Sequence, residues 1–165
     1  MSNHPRLAEA LWAVTTPPSL RFHQTEQGAL SAELDGRALA SKRRPLEEAQ
    51  RLADTLDPAA AGRAGVLGFG LGHHVRLLAE KMESVGVVAC FEPDLGLLRG
   101  VLECIDHSAW LAAGTTAIFH DAADQAAITF AVQGWEAPLA VGVQIIEHAP
   151  SRARLGDLGG RFAQS

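Results

Sequence analysis

The stretch GVLGFGLGHHVRLLAEK, residues 65–81, constrains the fold more than any other. A short apolar run meets glycines at positions 68, 70 and 72, and a helical pattern follows in which Val75, Leu78, Ala79 and Met82 share one stripe. Glycine lets the chain turn sharply from strand to helix and lets main-chain amides approach a neighbour closely. The spacing therefore predicts a strand at 66–69, a tight turn, and a helix from Gly72 to Met82.

The same alternation continues downstream. Apolar runs predict strands at 85–91, 116–119 and 139–146, and helical periodicity predicts helices over 94–105 and near 123–132. Strands separated by helices of this length imply crossovers and a parallel sheet, and continuous apolar runs suit strands covered on both faces. Upstream, the polarity alternates loosely and is broken at Gly28 and at Asp35-Gly36, a strong two-residue hairpin signal. Strands are expected near 20–25, 29–34 and 37–40, after a short helix at Leu7 to Val14. A helix opens at Pro45, with Glu47 and Glu48 beside its positive end, and residues 57–65 read as a linker.

The expected architecture is a single α/β domain of 165 residues, Rossmann-like, with a mostly parallel sheet, flanking helices and a small β-hairpin unit before it. Its parts are an N-terminal arm (1–19), the hairpin unit (20–40), the core (41–148) and a helix-poor tail rich in Gly and Arg (149–165).

A net charge of −5 without long runs of either sign gives no nucleic-acid or membrane surface. The basic cluster Lys42-Arg43-Arg44 reads as a solvated loop. No segment approaches the roughly 18 apolar residues of a membrane span. The start, MSNHPRLAEALWAV, lacks the basic-then-apolar layout of a secretory signal, so a cytoplasmic domain is expected. Cys90 and Cys104 form neither a disulfide framework nor a CxxC pair, and Cys90 reads as a small buried hydrophobe.

The candidate cofactor-binding residues are Gly68, Gly70, Gly72, His74, Glu92 and Asp121. The glycines and the helix start favour an anion, and Glu92 ends the second strand 22 positions after Gly70, where a ribose hydroxyl pair would be held. Asp121 ends the third strand on the same carboxyl edge. His73 stands where a dinucleotide loop has its third glycine, so Gly-x-Gly-x-Gly is closer to the loop of S-adenosylmethionine-dependent methyltransferases. Those proteins place an acid two residues before the first glycine, and Val66 stands there instead. The competing reading of the same glycines is tight packing of strand against helix. The cofactor stays open between a nucleotide, S-adenosylmethionine and none.

His73 and His74 point about 100° apart on a helix and have no HExxH or Cys partner, so no metal site is expected. His74, Glu92, His120, Asp121 and His148 form a candidate acid–base cluster; equally, such histidines can simply satisfy loop carbonyls. No GxSxG elbow or activated cysteine supports a covalent nucleophile, and no catalytic residue is assigned. Trp12, Trp110 and Trp135 lie in separate segments and read as packing anchors.

Three motifs in order resemble the N-terminal domain of the motility-associated-factor (Maf-type) flagellin glycosyltransferases. Ser41, Pro45, Glu48 and Ala49 match that domain's Ser-x-x-x-Pro-x-x-Glu-Ala. Gly68, Gly70, Leu71, Gly72 and His74 match its glycine loop, with His73 where Tyr is frequent. Glu92, Pro93 and Asp94 match its acid-Pro-Asp, and EHAPSRARL corresponds more weakly to its closing His-Pro segment. The resemblance covers roughly residues 20–155. It implies an accessory Rossmann-like domain, with the transfer chemistry in a following domain absent from this chain, and a transferase domain or a flagellin-type protein as partner. The alternative is a small or degenerate S-adenosylmethionine-dependent methyltransferase with Glu92 on the ribose and Asp121 near the adenine.

Overall fold

A computed structural model of the chain describes residues 5–121 and 142–156. It opens with α1 (Pro5–Trp12), followed by strands β1 (Arg21–Gln24), β2 (Leu30–Leu34) and β3 (Arg37–Ala38). These form a three-stranded antiparallel sheet in the order β1-β2-β3, with Arg21 opposite Glu33 and Leu34 opposite Arg37. Asp35 and Gly36 both have positive φ, 52° and 75°, as a two-residue hairpin turn of the primed type requires.

After α2 (Pro45–Asp54) the chain builds a four-stranded parallel sheet from β4 (Arg63–Leu67), β5 (Val87–Phe91), β6 (Thr116–Phe119) and β7 (Val143–Glu147). The order is β6-β5-β4-β7, with β4 paired in parallel to both β5 and β7. Helices α3 (His73–Met82), α4 (Leu95–Cys104) and α5 (Ser108–Ala112) connect the strands, and α6 (Ala149–Leu155) follows β7. Val66, Val88, Cys90, Ile118 and Ile146 of the sheet join Val75, Leu78 and Met82 of α3 and Leu97, Leu98 and Val101 of α4 in one buried cluster. This is the α/β Rossmann-like class read from the alternation.

The N-terminal arm is tied to α4. Arg99 donates to the carbonyls of Val14 (2.6 Å) and Leu11 (3.3 Å), satisfying acceptors at the end of α1. Gly96 and Gly100 leave room for the chain at 15–20: a Cβ at Gly100 would lie 2.5 Å from Leu20 and 2.6 Å from Thr16.

Several boundaries differ from the sequence reading. Strand β4 begins at Arg63, inside the expected linker, because Arg63 already pairs with Val87 and Val143. Strand β5 begins at Val87, two residues late, where Gly86 must pass against the Gly62 carbonyl. The fourth strand is Val143–Glu147; the expected helix near 123–132 and residues 139–141 lie outside the described residues. The expected helix-poor tail is corrected over 149–155, which forms α6 with Pro150 in its first turn, a place that does not need the missing N–H. The short α5 had no periodic signal in its five residues. Among the described residues no helix is long and apolar enough to cross a membrane, and no cluster of three His, Cys, Asp or Glu could hold a metal.

Candidate functional site

The glycine turn leaves β4 at Leu67 and enters α3 at His73. Gly68, Gly70 and Gly72 all have positive φ (91°, 53° and 78°), a conformation open to glycine and costly for other residues. The Gly68 amide donates to Phe91 O at 2.8 Å and the Gly72 amide to Phe69 O at 2.8 Å, which sets the turn against the end of β5. Phe69 is fully buried, edge-on to His107 (5.5 Å between ring centroids) and stacked with Trp110 at 6.3 Å.

Histidines hold the carbonyls of this turn. His74 Nε2 donates to Gly68 O at 3.1 Å and His107 Nε2 to Leu71 O at 3.0 Å. The other ring nitrogen of His107 accepts from Trp110 Nε1 at 3.1 Å, so this ring is neutral with one defined tautomer. Burial lowers the pKa of His107 to about 4 and that of His74 well below its ordinary value, the latter helped by neighbouring His148. His73 donates to Leu30 O at 2.9 Å, joining α3 to the hairpin sheet.

Glu92 has no solvent exposure. Its carboxylate accepts from the amides of Phe69 and Asp94, each at 3.0 Å, and from Arg154 at 2.6 Å. Burial raises its pKa, while Arg154 and the two amides oppose that rise. Asp94 caps α4 by accepting from the Leu97 amide at 2.9 Å, and Arg154 also lies 3.6 Å from its carboxylate.

The remaining wall comes from α6 and from His148, which joins β7 to it. A Cβ added at Gly68 would land on Ser151 Cβ and Oγ, and one at Gly70 would lie 3.1 Å from the His148 ring. His148 Nδ1 shares a hydrogen bond of 2.8 Å with Ser151 Oγ, and its Nε2 lies 3.5 Å from Glu48 of α2. His148 also stacks on His74, with centroids 4.2 Å apart and planes 16° from parallel. Interaction with the facing His148 ring keeps the Glu48 carboxyl below its ordinary pKa, against partial burial.

Of the residues singled out from sequence, Gly68, Gly70, Gly72, His74, Glu92 and His148 converge on this turn. His120 and Asp121 lie just past β6, on the edge where the Glu92 amide donates to Phe119 O at 2.8 Å, and Asp121 is exposed. His74 packs on the loop and satisfies one of its carbonyls, the second of the roles open to it. Four residues that complete the site were not singled out for it: Glu48, His107, Ser151 and Arg154. Only Trp110, three residues after His107, marked that region locally. Arg154 meets Glu92 across 62 residues, a separation that no motif spans.

No family model matches the sequence, and no characterised protein matches it by sequence. Among solved structures, the Maf glycosyltransferase from Magnetospirillum magneticum AMB-1 superposes with a TM-score of 0.60 at 14% identity, over 99% of this chain and 33% of that one. MNMC2 from Aquifex aeolicus gives a TM-score of 0.36 at 15% identity over 55% of this chain and 35% of that one, too little to carry an argument. The chain thus spans about a third of the length of the Maf glycosyltransferase and shares the fold of that third.

Proposed function

We propose that the chain is a cytoplasmic accessory Rossmann-like domain of a Maf-type protein glycosyltransferase. In this reading it docks onto a transferase domain or a flagellin-type acceptor and performs no transfer itself. The observation that carries the reading is the filling of the glycine turn by the chain's own α6. Ser151 and His148 occupy the spaces that Gly68 and Gly70 leave, and Arg154 takes the carboxylate that would otherwise hold a ribose. The likeness of fold to one third of a Maf glycosyltransferase supports the same reading. The methyltransferase alternative needs Glu92 free for the ribose.

Thermal melting of the wild-type chain with cytidine monophosphate and with S-adenosylhomocysteine tests it. A ligand at a hundredfold excess over its Kd would stabilise the fold by about 2.7 kcal/mol. The expected result is no shift with either compound, together with co-purification with a Maf-type transferase domain from the same organism. A shift with S-adenosylhomocysteine that Glu92→Ala removes would refute the closed turn and favour a methyltransferase. Failure to associate with the transferase domain would refute the accessory role.

A further inference from the structure

The contacts that seat α6 are of an unusual kind for an element over a core. The helix has seven residues, too few to be stable alone, and Leu155 is its only buried apolar side chain. Polar contacts do the rest: Arg154 to Glu92 and Asp94, the His148–Ser151 bond, and His148 facing Glu48. The fit is imperfect, because Arg154 Nε is buried without a hydrogen-bond partner. An element held by few apolar contacts belongs to the low-stability end of a fold and opens before the core does.

Glu92, by contrast, does not depend on α6. Its two amide donors come from Phe69 and Asp94, on the turn and at the start of α4. With α6 lifted, the carboxylate keeps its place and regains acceptor capacity, while the space over Gly68 that Ser151 fills opens beside it. A carboxylate at the tip of a parallel strand, next to a glycine turn, accepts both hydrogens of a vicinal diol.

We propose that α6 is an autoinhibitory latch: it occupies the glycine turn and the diol-binding face of Glu92, and its release opens that crevice to a ribonucleoside bearing a free 2′,3′-diol. This rests on the reading of the turn as closed in the resting domain. A site populated only when the latch lifts binds more weakly by the fraction of time that it is open. Weakening the latch therefore strengthens binding.

Calorimetric titration with cytidine monophosphate and S-adenosylhomocysteine tests this on the wild type, Arg154→Ala and Leu155→Ala. The second variant leaves the Arg154–Glu92 pair in place. Both variants are expected to bind at least one compound at least tenfold more tightly than the wild type. The gain should be lost in Arg154→Ala/Glu92→Ala and with the 2′,3′-dideoxy form of cytidine monophosphate. Amide hydrogen exchange over 148–156 should accelerate in both variants while that of β4 and β5 stays slow. Two variants that remain folded by circular dichroism yet bind no better than the wild type overturn the latch and leave the closed turn standing. Global unfolding of both variants at room temperature also overturns it, since α6 is then core. Tight binding by the wild type refutes the closed turn as well.

Discussion

Replacing Gly68 by alanine probes the seat of α6 directly. The substitution acts twice. First, φ is 91° at this position, and a side chain there costs about 1–2 kcal/mol in backbone strain. Second, the new methyl group lands on Ser151 Cβ and Oγ, and forcing atoms into a filled site costs about 1–3 kcal/mol. Together these give about 2–5 kcal/mol, a large part of the roughly 5–15 kcal/mol that holds a domain together. Urea unfolding at neutral pH, followed by tryptophan fluorescence, measures the loss. In a Ser151→Gly background the second term disappears, so Gly68→Ala should cost only about 1–2 kcal/mol there. The coupling of about 1–3 kcal/mol is the quantity of interest. Gly28→Ala is the control: φ is 79° and no atom lies within 4 Å of the added carbon, so it carries the backbone cost alone, with or without Ser151. If Gly68→Ala costs the same in both backgrounds, Ser151 does not sit on Gly68 and the account of the turn fails.

The neutral His107 ring makes stability depend on acid. Its pKa is about 4 in the folded chain against 6.5 unfolded, so the unfolded state takes the proton first. The contribution is complete above pH 6.5 and lost as pH falls toward 4, amounting to about 3 kcal/mol at 1.36 kcal/mol per unit. Unfolding curves of the wild type and His107→Gln should converge by that amount between these pH values; curves that stay parallel would contradict the assignment. At the start of α4, Asp94→Ala removes the cap on the Leu97 amide and a neighbour of Arg154, and should cost about 1–2 kcal/mol in the same urea assay. Asp94→Asn, which keeps the cap, should recover most of it.

The glycine turn was legible because its chemistry is local. Only residues without a side chain suit three positive φ values in five positions, and the apolar runs on either side fix strand and helix. Asp35-Gly36 was legible for the same reason. Glu92 could be placed at the edge of the sheet by its position after the second apolar run, but its partner could not be named. Arg154 lies in a segment whose Pro150 and flanking glycines resemble a loop, and the ion pair forms only after β7 has docked beside β4. His107 was likewise invisible, since its acceptor is a main-chain carbonyl 36 residues away.

The position of β7 governs how this chain can be made or cut. Strand β4 has its two neighbours on opposite sides, and one of them, β7, comes latest in the chain among the described strands. Until Glu147 has left the ribosome, β4 presents an unpaired row of amides and carbonyls along one side, and the space over Gly65 that Ile145 fills stands empty. Such an edge invites pairing with another nascent chain. A truncation ahead of residue 143 would therefore create an aggregating species, whereas one that retains β7 and α6 keeps that side of β4 paired.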